Sequence, residues 1–387
     1  MAITRTEIDK VTIIVNNPGV TGVRKCNSEI LDEKETIDIF CSDNPPSNDF
    51  EKSIRGVVFV NDKLIFPSFP YSKEIIVDKN FNDFADIDQF MKEAESNLSI
   101  LKAIEGTLIR VFYYNKWFIT THRKLDAFKS KWGNGLSFGE IFKVAVENKT
   151  GLNFEEFINC LSKDKQYIFL VTSTKSTYFV CEPYNIPNIY LYTVLKDGII
   201  INSTTINNIE YQVELGFKNA KSIVNWVNIL DWPFSCQGIL LLNKKTHETV
   251  KIINKKYDYF FKLRQNEPSI PFAYLSILGN DKDTYNFKKL YPHELEKLQN
   301  YDKLIDCLIS DLYGLYIKRF IRKEQLTTDE IKHRLLKEIH QWYLTHNKNL
   351  ITRNTVNHII KKHTSPSTLN RYISNVNKKL KLANKVE

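Results

Sequence analysis

The run Lys102-Ala103-Ile104-Glu105-Gly106-Thr107-Leu108-Ile109, followed by Trp117-Phe118-Ile119-Thr120-Thr121-His122-Arg123, decides how this chain folds. Leu108 to Tyr114 and Trp117 to Thr121 are rich in β-branched and aromatic residues, and Asn115-Lys116 separates them as a tight turn. The pattern predicts a β-hairpin entered by an acid–glycine pair. An acid–glycine pair entering an apolar strand does little for stability, so Glu105-Gly106 is a candidate site and not a structural pair.

Working outward, Ser53 to Val60, the turn Asn61-Asp62 and Lys63 to Phe66 form a second hairpin. Further strand-like runs lie at Tyr167 to Val171, Tyr178 to Cys181, Gly198 to Asn202, Gly238 to Leu242 and Val250 to Ile253, with helical stretches between them. Strands and helices that do not alternate regularly indicate an α+β domain of antiparallel sheets with flanking helices, over residues 49–280. Residues 1–48 are a separate segment, with a strand-like piece at Val11 to Val15 and a polar loop from Ser42 to Asn48 as its boundary. After Pro292, Leu298, Tyr301, Ile305, Leu308, Leu312 and Leu315 recur at spacings of 3 and 4, the mark of an amphipathic helix. Thr327-Thr328-Asp329-Glu330 reads as a capping box before Ile331, Leu335, Ile339 and Trp342, and Ser365-Pro366 opens a last helix. Residues 290–387 are therefore a basic all-α C-terminal domain.

Composition bounds the rest. The 387 residues exceed a single core of about 200 to 250 residues, and 42% hydrophobic with 26% charged residues is ordinary for a globular chain. No run approaches the roughly 20 apolar residues of a membrane span, and the N-terminus lacks a signal-peptide pattern, so the expectation is an intracellular, cytoplasmic protein with no membrane partner. The six cysteines form no CxxC pair, and His358 and His363 are off the i, i+4 spacing of a helical metal site, so no metal is expected. Net charge is +9, but residues 331–387 alone carry twelve Lys/Arg against Glu338 and Glu387, which is +10 and leaves −1 for the remainder. Concentrated positive charge suits a phosphate backbone. Lys332, Arg334, Lys337, Arg353, Lys361, Lys362, Arg371, Lys378 and Lys379 are the nucleic-acid-binding candidates, on several short helices that suggest a helix-turn-helix by analogy.

The hairpin with its acid–glycine pair and terminal Thr/Arg resembles motifs I and Ia of ATP-dependent RNA ligases of the phage type, members of the covalent nucleotidyltransferase superfamily. In order along the chain, Arg55 to Phe59 with Phe69-Pro70 looks like their upstream segment. Tyr167 to Val180 lies where motif III would, Cys236 to Ile239 is similar to motif IV, and Val250 to Ile253 with Tyr257 is similar to motif V. The resemblance implies a nucleotidyltransferase domain whose lysine amine attacks the α-phosphate of ATP. The usual K-x-D-G pattern puts that lysine three residues before the glycine, where this chain has Ala103; Lys102 is one residue early and, by strand alternation, on the opposite face. Gln237 stands for a metal-binding glutamate, Val171 for a second, and Ile253 for a second lysine beside Lys251. Glu105, Gly106, Arg123, Gln237 and Lys251 are thus the vestigial nucleotide-binding residues, with Arg110 and Lys124 read as surface ion pairs. The expectation is a catalytically degenerate ligase-like protein needing no cofactor. It would bind nucleic acid, RNA in preference to DNA, and join other proteins of a processing or virion complex in a virus factory or virion of a large DNA virus. The alternative is an active RNA ligase or capping-type guanylyltransferase with Lys102 as nucleophile, ATP and Mg²⁺ as its cofactors.

Overall fold

The strands form three sheets in the computed structural model, which describes residues 5–11, 22–42, 48–67, 69–133, 135–175, 177–201, 205–346 and 349–383. The first stretch of chain gives α1 (Arg5–Val11), β1 (Val23–Ile30), β2 (Thr36–Ser42), α2 (Asp49–Ser53), β3 (Arg55–Val60), β4 (Lys63–Phe66), β5 (Lys73–Val77) and α3 (Ala85–Ala94). There follow β6 (Leu98–Lys102), β7 (Gly106–Tyr114), β8 (Lys116–Thr120), α4 (Phe138–Thr150), α5 (Phe154–Asn159), β9 (Gln166–Thr172), β10 (Ile189–Lys196) and β11 (Ile199–Ile201). Then come α6 (Ala220–Asn228), β12 (Gly238–Asn243), β13 (Thr249–Asn254) and α7 (Lys255–Arg264).

Pairing is antiparallel in the order β1-β2-β3-β4 and in the order β11-β10-β9-β7-β8, and antiparallel in β5-β13-β12-β6 except between β5 and β13. The period-2 alternation of β7 and β9 gives the five-stranded sheet two apolar faces. Ile109, Val111 and Phe169 pack on Ile141, Phe142 and Phe157 of α4 and α5. Phe112, Phe118 and Ile168 meet Ile37, Ile39, Val58 and Val60 of the first sheet. The third sheet buries Ile100, Ile239, Leu241, Val250 and Ile252 against α3 and α6. Its reverse face puts Leu101, Ala103 and Leu240 against Tyr192 of β10. The chain is therefore α+β with antiparallel sheets and flanking helices.

Particular expectations shift. Strand β2, drawn from the residues before the Ser42–Asn48 loop, pairs with β3 and carries β1 on its other edge, so this stretch is part of a sheet and not a separate segment. Val11 ends α1 instead of opening a strand, and Thr12 to Val15 lie outside the described residues. No strand forms at Tyr178 to Cys181, because the N–H groups of Phe179, Val180 and Cys181 donate to a carboxylate and not to a neighbouring strand. The last strand ends at Asn254, and the chain divides into two compact units, Met1–Asp258 and Tyr259–Glu387, so residues 259–280 of the domain expected over 49–280 fall in the second unit.

The second unit is helical, as expected: α8 (Ile270–Leu275), α9 (Asp281–Leu290), α10 (Leu295–Tyr316, extended by a π-turn at Ile317–Ile321), α11 (Glu330–Thr345), α12 (Arg353–Lys362) and α13 (Pro366–Ala383). Leu298, Tyr301, Ile305, Leu308 and Leu312 are buried on α10, with Leu315 only partly so. Asp329, not Thr327, caps α11, its carboxylate accepting from the Lys332 N–H at 2.9 Å. Ser365 caps α13, its hydroxyl accepting from the Thr368 N–H at 3.3 Å. Among the described residues no helix is long and apolar enough to cross a membrane.

Candidate functional site

Residues 103–106 carry the chain from one sheet into another: β6 belongs to the third sheet and β7 to the five-stranded one. Ala103 prolongs the pairing of β6 with β12, its N–H donating to Gly238 O at 2.9 Å and its carbonyl accepting from the Gln237 N–H at 2.9 Å. Gly106 then passes against β9, where a Cβ would collide with the Val171 carbonyl oxygen. Between them Glu105, 6% exposed, turns its carboxylate inward. It accepts backbone N–H bonds from Phe179, from Val180 at 3.0 Å and from Cys181 at 2.9 Å, and the Tyr257 hydroxyl at 3.2 Å. Burial raises the Glu105 pKa while these four donors pull against it. The carboxylate thus ties the 179–181 bend and α7 to the β6–β7 junction, and its acceptor sites are used within the chain.

Alternation along β6 separates the two lysine candidates. Ala103 lies 4% exposed in the cluster of Leu101, Leu240 and Tyr192. Lys102, paired with Ile239, is exposed and takes the face of Ile100, which packs toward α3 and α6. Val171 also turns away from the first sheet, into the core under α4 and α5. Gln237 is partly buried beside Ala103.

Cations gather on the Ala103 face. Lys251, opposite Leu240 on β13, sits 3.8 Å from Glu74; burial lowers its pKa, against the pull of Glu74. The charge of Arg55 acts on Lys251, Tyr192 and His122, and its guanidinium lies 5.0 Å over the Tyr71 ring. Arg110 is not the expected surface ion pair: it is 5% exposed and donates to Gly56 O and to Thr121 O at 2.6 Å, fastening the first sheet to the second. Burial holds its pKa down at about 9. Gly56 has φ +79°, and a Cβ there would crowd the Arg110 guanidinium and the His122 carbonyl, which explains the glycine. Burial, aided by Arg55, Arg110 and Arg123, lowers the His122 pKa to about 3. Lys124 is exposed, its N–H and carbonyl bonded to Thr121.

Arg123 reaches a group absent from the expectations. Its charge acts on Cys41 of β2, whose Sγ is 3.4 Å from the Tyr71 hydroxyl. A bond from Cys26 across the β1 bulge, then Tyr71 and Arg123, lower the Cys41 pKa to about 6 against its burial. Nothing local in the sequence signals this pairing, since Cys26, Cys41, Tyr71 and Arg123 come from distant positions.

In the second unit, Lys332 pairs with Asp311 at 2.9 Å, Arg334 with Glu338 at 3.6 Å, Arg353 with Asp306 at 3.8 Å and Arg371 with Glu330 at 3.3 Å. Lys337, Lys362, Lys378 and Lys379 are exposed and Lys361 is partly so. His358 and His363, too far apart for one helical face, meet with their Nε2 atoms 3.4 Å apart because His363 caps the end of α12.

No protein-family description matches the chain. Over 392 residues it is 40% identical to the immediate-early protein ICP-46 homolog of Invertebrate iridescent virus 6, spanning 93% of this chain and 85% of that protein. The chain belongs to the ICP-46 homolog family. A second member, from Invertebrate iridescent virus 3, is 31% identical over 365 residues, with 89% of this ICP-46 homolog and 78% of the other covered. Among solved structures, an archaeal ATP-dependent RNA ligase aligns with 70% of this ICP-46 homolog and 68% of its own chain, at 9% identity and a TM-score of 0.38. A putative ATP-dependent DNA ligase from Aquifex aeolicus aligns with 83% and 84%, at 12% identity and a TM-score of 0.37.

Proposed function

We propose that this ICP-46 homolog is a viral nucleic-acid-binding protein that keeps a ligase-like frame without ligase chemistry. The observation that carries the reading is the position of Ala103: it occupies the strand register where the resemblance calls for the nucleophile, packed among Leu101, Leu240 and Tyr192. Alanine offers no amine. Lys102 would have to turn through the plane of the sheet to reach that face, against the pairing of Lys102 with Ile239. The enzyme reading, with Lys102 as nucleophile, therefore has no geometric support.

The residues do not fit a catalytic divalent cation either. Val171 is apolar and buried, Gln237 offers only a neutral amide oxygen, a weak ligand for a hard ion, and Glu105 is bonded to four internal donors. Among the described residues no three His, Cys, Asp or Glu side chains group as metal ligands. Nucleotidyl transfer depends on positioned charge, each lost contact reducing the rate about 10²- to 10³-fold.

Binding is supported by two cationic regions: the Arg55, Arg123 and Lys251 wall of the first unit, and the C-terminal helices. The test is binding of the purified full-length chain to labelled single-stranded RNA and duplex DNA over a salt series. Affinity falling steeply and log-linearly with salt is expected, because several condensed counterions leave. Absence of binding to either polymer at low salt contradicts the proposal.

A further inference from the structure

Resting on the nucleic-acid reading above, we infer that α13 is a duplex-DNA-reading helix, the second helix of a helix-turn-helix formed with α12, so that the preferred polymer is double-stranded DNA and not RNA. The geometry begins with the connection. Helix α12 ends at Lys362 and α13 starts at Pro366, leaving His363, Thr364 and Ser365 as a three-residue turn, the length this motif uses. The turn is fixed at both ends: the Thr364 N–H donates to Ile359 O at 3.1 Å, and Ser365 caps α13. Val356, Ile359 and Ile360 of α12 are buried, as are Leu369, Tyr372 and Ile373 of α13. Arg334 bonds Thr368, and Arg371 meets Glu330, which link α13 to α11. The helix is held by one face and by its first turn.

Its other face is chemically specific. Ser367, Asn370, Arg371, Ser374, Asn375 and Lys378 recur at helical spacing and are exposed or half-exposed. Asn and Arg are the side chains that make paired hydrogen bonds to adenine and guanine edges in the major groove, and Ser and Lys serve bases and phosphates. Among the described residues the side chains of Asn370, Ser374, Asn375 and Lys378 have no hydrogen-bond or ion-pair partner. Apart from Glu330 of α11, which meets Arg371, the surroundings hold few carboxylates: residues 339–386 contain no Asp or Glu and nine Lys or Arg. A merely solubilising helix face would gain from interspersed glutamates, and this one has none. The major groove of B-DNA admits an α-helix, whereas that of duplex RNA is too deep and narrow for side chains to read.

The experiment is selection from a randomised duplex-DNA pool by the full-length chain, followed by competition for the selected duplex with duplex RNA and single-stranded RNA. An enriched sequence is expected, with both RNAs competing at least tenfold more weakly. Asn370→Ala and Asn375→Ala, singly, are expected to relax the preference about tenfold at one position while leaving the melting temperature unchanged. Lys378→Ala with Lys379→Ala should weaken all sequences alike and reduce the salt slope by about two. RNA bound in preference to duplex DNA, or a selected sequence indifferent to both asparagines, overturns the assignment to α13 while leaving the nucleic-acid reading standing. Failure to bind any of the three polymers overturns both.

Discussion

The β6–β7 junction and the open face of α13 both concentrate polar side chains, but they use them in opposite ways. At the junction, Glu105 is almost out of contact with water and accepts four bonds from its own chain. On α13, Asn370, Ser374, Asn375 and Lys378 face outward with no partner among the described residues. A buried polar group that is fully bonded within the chain is structural, since breaking it leaves its partners unsatisfied. A row of unbonded polar groups on a firmly packed helix is available to an outside ligand. The acid–glycine pair that the sequence marks as a site is therefore a clamp, and the interaction surface proposed above lies in the tail.

The largest effect expected from this contrast is on stability. Glu105→Ala leaves the buried N–H groups of Val180 and Cys181, the part-buried N–H of Phe179 and the Tyr257 hydroxyl without their acceptor, at about 1 to 3 kcal/mol for each buried group left unsatisfied. A loss of about 4 kcal/mol or more is expected in chemical denaturation, with Glu105→Gln losing less because it keeps an acceptor oxygen. Asn375→Ala, by contrast, should stay within about 0.5 kcal/mol of the parent. Equal small losses from Glu105→Ala and Asn375→Ala would erase the distinction between the two regions.

A smaller effect sharpens the account of the cationic wall. Cys41, held at about 6 by the bond from Cys26 and by Tyr71 and Arg123, should show thiolate absorbance rising with a midpoint near that pH, and Cys41→Ser should remove it. Its pKa is lower in the folded chain than in the unfolded one, where thiols titrate near about 8.5. The stability it contributes is thus full above the unfolded value and lost as pH falls through about 6. A thiol titrating only near its ordinary value would remove Cys41 as a counter-charge for Arg123.

The sequence foretold the hairpin of β7 and β8, the strands β9, β12 and β13, and the helices α10, α11 and α13, because in each the apolar period is set locally by residues that face one core. It missed β1 and β2 as parts of a sheet, since β1 is largely polar and is held extended by pairing with β2, which in turn pairs with the distant β3. It suggested a strand at Tyr178 to Cys181 because apolar residues there are buried, while their N–H groups are claimed by Glu105 from far along the chain. The opposite facing of Lys102 and Ala103 was legible, since strand alternation decides it. The Cys41–Arg123 contact and the burial of Arg110 were not, as both depend on how sheets stack.

The claim that Lys102, turned away from the Ala103 face, is no nucleophile and that the chain forms no nucleotide adduct is tested most directly by incubating the purified chain with α-labelled ATP, and separately GTP, in Mg²⁺ or Mn²⁺, then resolving it on a denaturing gel beside Lys102→Ala. The account predicts no label on the folded wild-type chain with either nucleotide. Label that survives denaturation and vanishes in Lys102→Ala would contradict it, and would make this ICP-46 homolog an active nucleotidyltransferase.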